Sequence, residues 1–451
     1  MRRFRTYQPK QQYLLPPSLD DWLPEDHLAR FINEVVDELD LSAIFREYEG
    51  DGRGNPPYNP AMMIRVLIYA YSTGVFSSRK IERKLYEDVA FRYLAADNFP
   101  DFRTISTFRK RNLQAFEDLF KQVLKICAAA GLVKLGTVAI DGSKFEANAS
   151  KHKAMSYGRM KQEEERLSKE IAELMKQAEA VDAAEDEVHG DRRGDELPEE
   201  LAFREKRLAK IREAKKALEE EARVKAEQEA KAKKTPKDDS SSSDDQPPQV
   251  DDKAQRNFTD PESRIMKAPA KGTFVQAYNV QTAVDAETQV ILGKLVTNSP
   301  TDVGCLLPVM DDVEARVGKP KRVVADSGYY SRNNVAQLRK RGIAPVIPPD
   351  RIKHSEWRKD GPRGPIPKKE RTERARMRRF VRTKRGKSIY RLRQTSVEPV
   401  FGQIKSVMGF RRFSLRGLNN VDGEWSLVAT VHNLRKLFAH RQRLQLTATT
   451  A

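Results

Sequence analysis

Residues Thr137–Ser150 read TVAIDGSKFEANAS, and the reading of this stretch decides the fold class. It begins as an apolar, partly β-branched run, Val138-Ala139-Ile140, and then sets an acid, Asp141, against Gly142. A buried strand that stops at a carboxylate and a turn presents that acid at the edge of an α/β sheet. The event recurs at Lys321–Ser331, KRVVADSGYYS, where Val323-Val324-Ala325 leads into Asp326 and Ser327-Gly328 breaks the strand. A third acid, Glu398, lies in a helical pattern, YRLRQTSVEPVFGQIK, where Pro399 places it near a first turn. Two strand-end aspartates and a helical glutamate that converge would hold hard divalent cations. Mg²⁺ suits such a set, because it takes few carboxylates and keeps positions open for water and phosphate.

Other acids have simpler readings. Asp285 fits a hairpin turn, Asp260-Pro261 a turn, and Asp302 a helix cap after Thr301. Glu424 opens the last helix, where negative charge suits the macrodipole.

The chain has 451 residues, enough for two or three domains, and its 83 Lys/Arg against 65 Asp/Glu give a formal charge of +18. Such a surplus predicts a polyanionic partner. Cys127 and Cys305 are far apart, and the six histidines do not cluster, which argues against a disulfide framework and a zinc site. A reducing, cytoplasmic setting fits. No signal-peptide pattern and no run of membrane-spanning length is present, so no membrane partner is expected.

In chain order, residues 1–25 read as an extended arm. Asp26 caps a predicted helix to Tyr48, followed by an apolar helix at PAMMIRVLIYAYSTG, a third at Arg79–Leu94 and a long fourth from Thr104 or Ser106 to Gly131. The fourth starts with Arg109-Lys110-Arg111, which suits either a helix laid on DNA or a solvated basic face. Lys161–Val181 and Leu201–Val224 carry apolar residues at spacings of four and three, flanked by charges of both signs. They predict an antiparallel helical hairpin with a turn at HGDRRGDELP and a flexible return at KKTPKDDSSSSDDQPPQVDD. GTFVQAYNVQTAVD and TQVILGKLVTN then read as two antiparallel strands, Asp302–Val317 as a helix, Asn333–Arg341 as a helix and Ile343–Ile347 as a strand. The pattern is a mixed sheet with helices on its faces. From Arg351 to Lys387 the chain holds 16 Lys/Arg and 4 Asp/Glu, on the approach to Glu398. Its arginines, Arg374, Arg376, Arg378 and Arg379 among them, are expected to bind phosphate.

The set DGSKFEANAS, ADSGYYS and VEPVFGQIK followed by GFRRFSLRGL resembles the DDE transposases of bacterial insertion sequences, and PDFRTISTFR resembles part of their N-terminal region. The resemblance implies an RNase H-like catalytic core with Asp141, Asp326 and Glu398 as its catalytic, metal-holding triad. One subgroup has a tyrosine, arginine, glutamate and lysine signature around the last acid, which Tyr390, Arg393, Glu398 and Lys405 match. Lys405, seven residues after Glu398, falls two helical turns on and on the same face, placed for the scissile phosphate.

The expected organisation is α/β: an RNase H-like mixed sheet with flanking helices, an all-helical N-terminal DNA-binding domain and an inserted helical hairpin. Its divisions are 1–135 for the N-terminal domain, 136–152 and 254–350 for the first part of the core, and 153–253 for the insertion. A basic segment at 351–387 and C-terminal core helices at 388–451 complete it. The expected activity is cleavage at element ends and strand transfer into target DNA, with two Mg²⁺ ions that Mn²⁺ can replace. The partners are double-stranded DNA and a second copy of the chain at synapsis. The rival readings are a structure-selective nuclease on the same fold and a domesticated DNA-binding protein with a dead site.

Overall fold

The computed structural model describes residues 18–49, 56–189, 199–233, 250–267, 273–352, 361–362, 364–366 and 372–450, with backbone alone for 177–189, 199–201, 228–233 and 448–450. Most of the N-terminal arm, the hairpin turn, most of the polar return and parts of the basic segment lie outside these residues.

The N-terminal region is helical, in more pieces than the periodicity predicts. α1 (Leu28–Glu38) is capped by His27 rather than Asp26, and a break at Leu39–Leu41 separates it from α2 (Ser42–Arg46). α3 (Pro60–Ser72) starts at Asn59, whose side chain accepts from the Ala61 and Met62 amides, and is buried nearly all round. α4 (Ser78–Glu87) and α5 (Val89–Ala95) replace one predicted helix, because the Asp88 carboxylate caps the Ala90 amide and restarts the chain. The predicted fourth helix is also two, α6 (Phe102–Arg111) and α7 (Leu113–Ala129), joined at Asn112. Gly131, at φ +73°, ends α7 as its sequence position predicts.

β1 (Thr137–Glu146) corrects the reading of its own stretch: Asp141 does not end the strand but sits in its middle, opposite Thr282. The chain continues through a short ribbon, β2 (Ala154–Ser156) with β3 (Gln255–Asn257), from which two long helices project, α8 (Tyr157–His189) and α9 (Glu199–Lys233). Met160, Leu167, Leu208, Ile211 and Leu218 form their own buried seam, flanked by Glu164 ion pairs to Arg212 and Lys215 at 3.0 and 2.9 Å. β4 (Arg264–Lys267), β5 (Phe274–Asp285) and β6 (Ile291–Thr297) follow, then α10 (Leu306–Val317), β7 (Arg322–Val324), α11 (Arg332–Lys340) and β8 (Ala344–Val346). The chain closes with α12 (Glu373–Arg382), α13 (Lys384–Gly402) and α14 (Leu418–Thr450).

The main sheet runs β6-β5-β1-β7-β8, antiparallel across β6-β5-β1 and parallel across β1-β7-β8, with β4 extending the start of β5. This is the RNase H-like topology. β5 is buried from Gln276 to Asp285 because helices cover both faces, α10 on one and α13 on the other. At the β5–β6 turn the Asp285 carboxylate accepts from the Lys134, Leu135 and Glu287 amides, as a turn residue should. One apolar core runs from α1 through the sheet to Trp425 and Leu437 of α14, so the N-terminal helices pack on the same core as the sheet. Glu424 is not a macrodipole residue at a solvated helix end. It is fully buried, accepting from the Tyr71 hydroxyl at 2.8 Å and from the Ser414 and Leu415 amides.

Candidate active site

Three elements bring the predicted acids toward one place, where β7 ends beside the middle of β1. β1 carries Asp141 with its side chain on the α13 face, since Asp141, Ser143 and Phe145 alternate onto that side and meet Arg393, Lys405 and Phe401. β7 lies parallel to β1 with Ala139 opposite Val324, and continuing that register by two residues sets Asp326 beside Asp141. Asp326 then caps a short turn, Ser327–Tyr329, by accepting from the Gly328 amide at 2.8 Å. Glu398 comes from α13. It lies near the end of that helix, not in its first turn as Pro399 suggested, and Pro399 is inside the helix.

Arg393 joins the set. Its Nη1 donates to Asp141 Oδ2 at 2.6 Å and its Nη2 to Glu398 Oε1 at 2.8 Å. Its guanidinium stands where positive charge is required between two carboxylates. Burial raises the Asp141 carboxyl to about 6 against the opposing pull of Arg393, and the Asp326 and Glu398 carboxylates push the same way as burial. Crowded acids of this kind are a recognisable mark of a functional site. Among the described residues no three acidic, histidine or cysteine side chains converge closely enough to hold a metal ion, and the Arg393 guanidinium bridges Asp141 and Glu398. The donor chemistry nonetheless fits a divalent cation: hard carboxylate oxygens around a point already filled by a cationic group.

The cleft beside these acids has a volume of about 990 Å³ and is lined by Asp326, Gly328, Asp350, Arg351, Tyr390 and Arg393. Tyr390 is half-buried with Arg393 against its ring, and burial raises its hydroxyl. Lys405 departs from its predicted place. α13 gives way to a π turn at Gln403–Val407, so the two α-helical turns assumed by its spacing are not made. Val400, Phe401 and Ile404 are buried as expected, but the Lys405 ammonium points inward. It donates to Ser143 Oγ at 2.6 Å and to the Lys144 carbonyl at 2.8 Å, 4.4 Å from the Phe145 ring centroid. Burial lowers it to about 8, and the Arg411 and Lys144 charges add to the effect.

The basic candidates separate. Arg109 is a correction: at 4% exposure it is buried, bonded to the Tyr71 hydroxyl, the Phe76 carbonyl and Ser78 Oγ, so it faces the core rather than a DNA surface. Lys110 and Arg111 are exposed. Arg374 and Arg378 both grip Asp350, at 2.6 and 2.7 Å, and Arg379 donates to the Gly364 carbonyl at 3.0 Å. Arg376 is exposed and opens on a 630 Å³ cavity beside β8. Asp302, read as a helix cap, does not cap α10 with its side chain. α10 begins at Leu306, and the Asp302 carboxylate instead accepts from Asn279 Nδ2 at 2.8 Å and Gln281 Nε2 at 2.7 Å. The signal that could have found it is the glycine one residue after Asp141 and two after Asp326, each of which leaves room for the Asp302 side chain.

Comparison with known families gives two matches. Residues 17–111 match the Transposase domain (DUF772), and residues 235–434 match the Transposase DDE domain. The chain is a DDE transposase of an insertion sequence. No curated protein and no solved structure matches it. The DDE match holds Asp326 and Glu398, while Asp141 precedes it on the far side of the hairpin insertion. The transposase acts on DNA, and among its described residues no helix is long and apolar enough to cross a membrane.

Proposed function

We propose that this transposase cuts DNA at the ends of its element and joins those ends to target DNA, with Asp141, Asp326 and Glu398 as the catalytic acids. The observation that carries this reading is the approach of the three acids where β7 ends beside the middle of β1, two of them on a single guanidinium. Asp141 and Asp326, with Glu398 once Arg393 turns away, would hold two Mg²⁺ ions, or Mn²⁺ in their place. Bound there, such ions lower the pKa of an attacking water or 3′-hydroxyl and offset charge on the leaving oxygen.

The chain's own groups do the rest. Arg393, at the wall of the cleft, exchanges its carboxylates for a phosphate oxygen when DNA enters, and its planar fork suits that ligand. Tyr390 packs beside the guanidinium and limits its swing. Lys405 holds Ser143 on the β1 face two residues beyond Asp141, which makes it a candidate phosphate-binding group once it is released from that bond. Lys110, Arg111, Arg376 and Arg379 supply the longer-range attraction to the duplex, with Arg374 and Arg378 available if Asp350 releases them. The N-terminal helices bind the element end, and two copies of the chain hold two ends together.

A strand-transfer assay tests the reading: labelled end DNA and a target plasmid, with Mg²⁺ and then Mn²⁺. Cleaved ends that become joined to target support it. Cleavage with no joined product in either metal would replace it with the nuclease reading. End binding with no chemistry would replace it with the domesticated DNA-binding protein.

A further inference from the structure

Behind the sheet face that carries Asp141, a second set of polar side chains is buried that the proposed chemistry does not use. Gln281 lies directly across from Gly142, the residue after Asp141, and Asn279 across from Lys144. Paired residues share a face, so both amides point to the α10 side, away from Arg393. There they donate to the same oxygen of Asp302, at 2.7 and 2.8 Å. Gln281 Oε1 in turn accepts from the Tyr329 hydroxyl. Asn279, Gln281 and Tyr329 are fully buried, and the Asp302 side chain is 30% exposed. Lys144 Nζ lies 3.7 Å from the same Asp302 oxygen and donates to the Pro300 carbonyl at 3.2 Å, which offsets the half-buried charge.

This set touches both strand acids through the glycines that follow them. A Cβ at position 142 would overlap Gln281 Nε2 and come within 3.1 Å of Asp302 Oδ1. A Cβ at position 328 would lie 3.0 Å from Asp326 Oδ1 and 3.7 Å from Asp302 Oδ2. Tyr329 is the last residue of the turn that Asp326 caps, and its backbone carbonyl is held by Asn334 Nδ2 at 2.9 Å. The chain of bonds therefore runs from β5, under the β1 backbone at Asp141, to the β7 turn at Asp326.

We infer that Asp302, Gln281 and Tyr329 form a positioning frame that fixes Asp326 against Asp141, with Asp302 as its anchor. The frame does not touch substrate. It acts through the backbone on either side of the two acids, so its failure loosens their spacing and leaves the acids themselves in place. The inference rests on the reading of Asp141 and Asp326 as a metal-holding pair. Outer residues that orient metal-holding groups contribute about 10–100-fold in metal affinity or activity. A loosened pair should be felt more with Mg²⁺, which demands near-ideal geometry.

The test uses the full chain with Tyr329→Phe, which removes one hydroxyl and keeps the ring, and Asp302→Asn, which keeps shape and removes the charge. Asp326→Asn is the control. Mn²⁺ affinity is read by electron paramagnetic resonance of the free ion, end cleavage is compared in Mg²⁺ and Mn²⁺, and melting is followed in chelator. Both frame variants should lower Mn²⁺ affinity by about 10-fold or more. They should also lose Mg²⁺-supported cleavage more than Mn²⁺-supported cleavage, and keep end binding and melting temperature near wild type. Unchanged Mn²⁺ affinity and an unchanged Mg²⁺/Mn²⁺ ratio overturn the frame. Equal loss in both metals with a fallen melting temperature also overturns it, in favour of a purely structural network. If Asp326→Asn itself binds Mn²⁺ and cleaves normally, the reading of the site fails, whatever the frame variants do.

Discussion

Arg393→Ala should tighten metal binding to the DNA-free transposase while it weakens DNA cleavage, two effects that a simple substrate-binding arginine would not combine. The guanidinium makes two charge-assisted bonds, to Asp141 at 2.6 Å and to Glu398 at 2.8 Å. The Asp141 bond is well sheltered, with side chains 14% and 19% exposed, and bonds to charged groups of that kind contribute about 1.5–3 kcal/mol. Glu398 is 48% exposed, so its arm is discounted to about 0.5–1 kcal/mol for solvent screening. An entering cation must displace roughly 2–4 kcal/mol of interaction, which corresponds to about 30–1000-fold in apparent affinity. Relaxation of the freed acids reduces this, so a rise of at least about 10-fold in Mn²⁺ affinity is expected for Arg393→Ala. Arg393→Lys should fall between, because a single ammonium cannot bridge both carboxylates. Calorimetric or paramagnetic titration of Mn²⁺ into each protein, with and without end DNA, reads the effect directly. With end DNA present the wild type should approach the variant, since a phosphate then takes the arginine. Unchanged or weaker Mn²⁺ affinity in DNA-free Arg393→Ala would refute the reasoning, for the guanidinium would then not be competing with metal.

Asp141→Asn, Asp326→Asn and Glu398→Gln should each reduce end cleavage below detection and leave gel-shift affinity for end DNA within a few-fold; normal cleavage by any one removes that residue from the site. Lys405→Ala should lower cleavage strongly and end binding modestly, with Lys405→Arg a partial rescue. Wild-type rates at physiological salt would reduce Lys405 to a packing partner of Phe145 and Ser143. His432 is buried beside the Gln289 carbonyl, and burial holds it down to about 3. The unfolded chain therefore takes up a proton near its ordinary value while the folded chain does not, so stability is full above about pH 6.5 and is lost as pH falls from there toward 3, by up to about 1.4 kcal/mol per pH unit. His432→Gln should flatten that slope in denaturant melts at pH 4–7, and an undiminished slope would place the effect on other groups. Replacing residues 153–253 by a short Gly/Ser linker should leave the core folded, since the hairpin has its own buried seam, with loss confined to assembly or end handling. An insoluble product would show that the insertion supports the core.

The positions of the three acids, their order and the helical or extended character of their elements were legible along the chain, because each rests on local pattern. An apolar β-branched run makes a strand at Val138–Ile140 and again at Val323–Val324, and alternating spacings of four and three make the hairpin of α8 and α9. Breaks were less legible, since Asp88 and Asn112 interrupt helices through hydrogen bonds that compete with an otherwise continuous apolar stripe. Direction was legible for apolar side chains such as Val400 and Ile404 but not for the charged ones. Arg109 belongs to a basic triplet, yet the packing of α6 against Tyr71 and Ser78 turns it inward. The Lys405 ammonium folds back onto β1 because a π turn replaces the helical register that its spacing assumed. Asp302 and Arg393 take partners from strands 21 to 252 residues away, Asn279 and Gln281 for one and Asp141 for the other. Local pattern sets what each segment becomes, because backbone propensity and burial period act over a few residues. Which charged groups face one another is set by the register of β1 against β5 and β7 and by the seat of α13, which only the folded sheet defines.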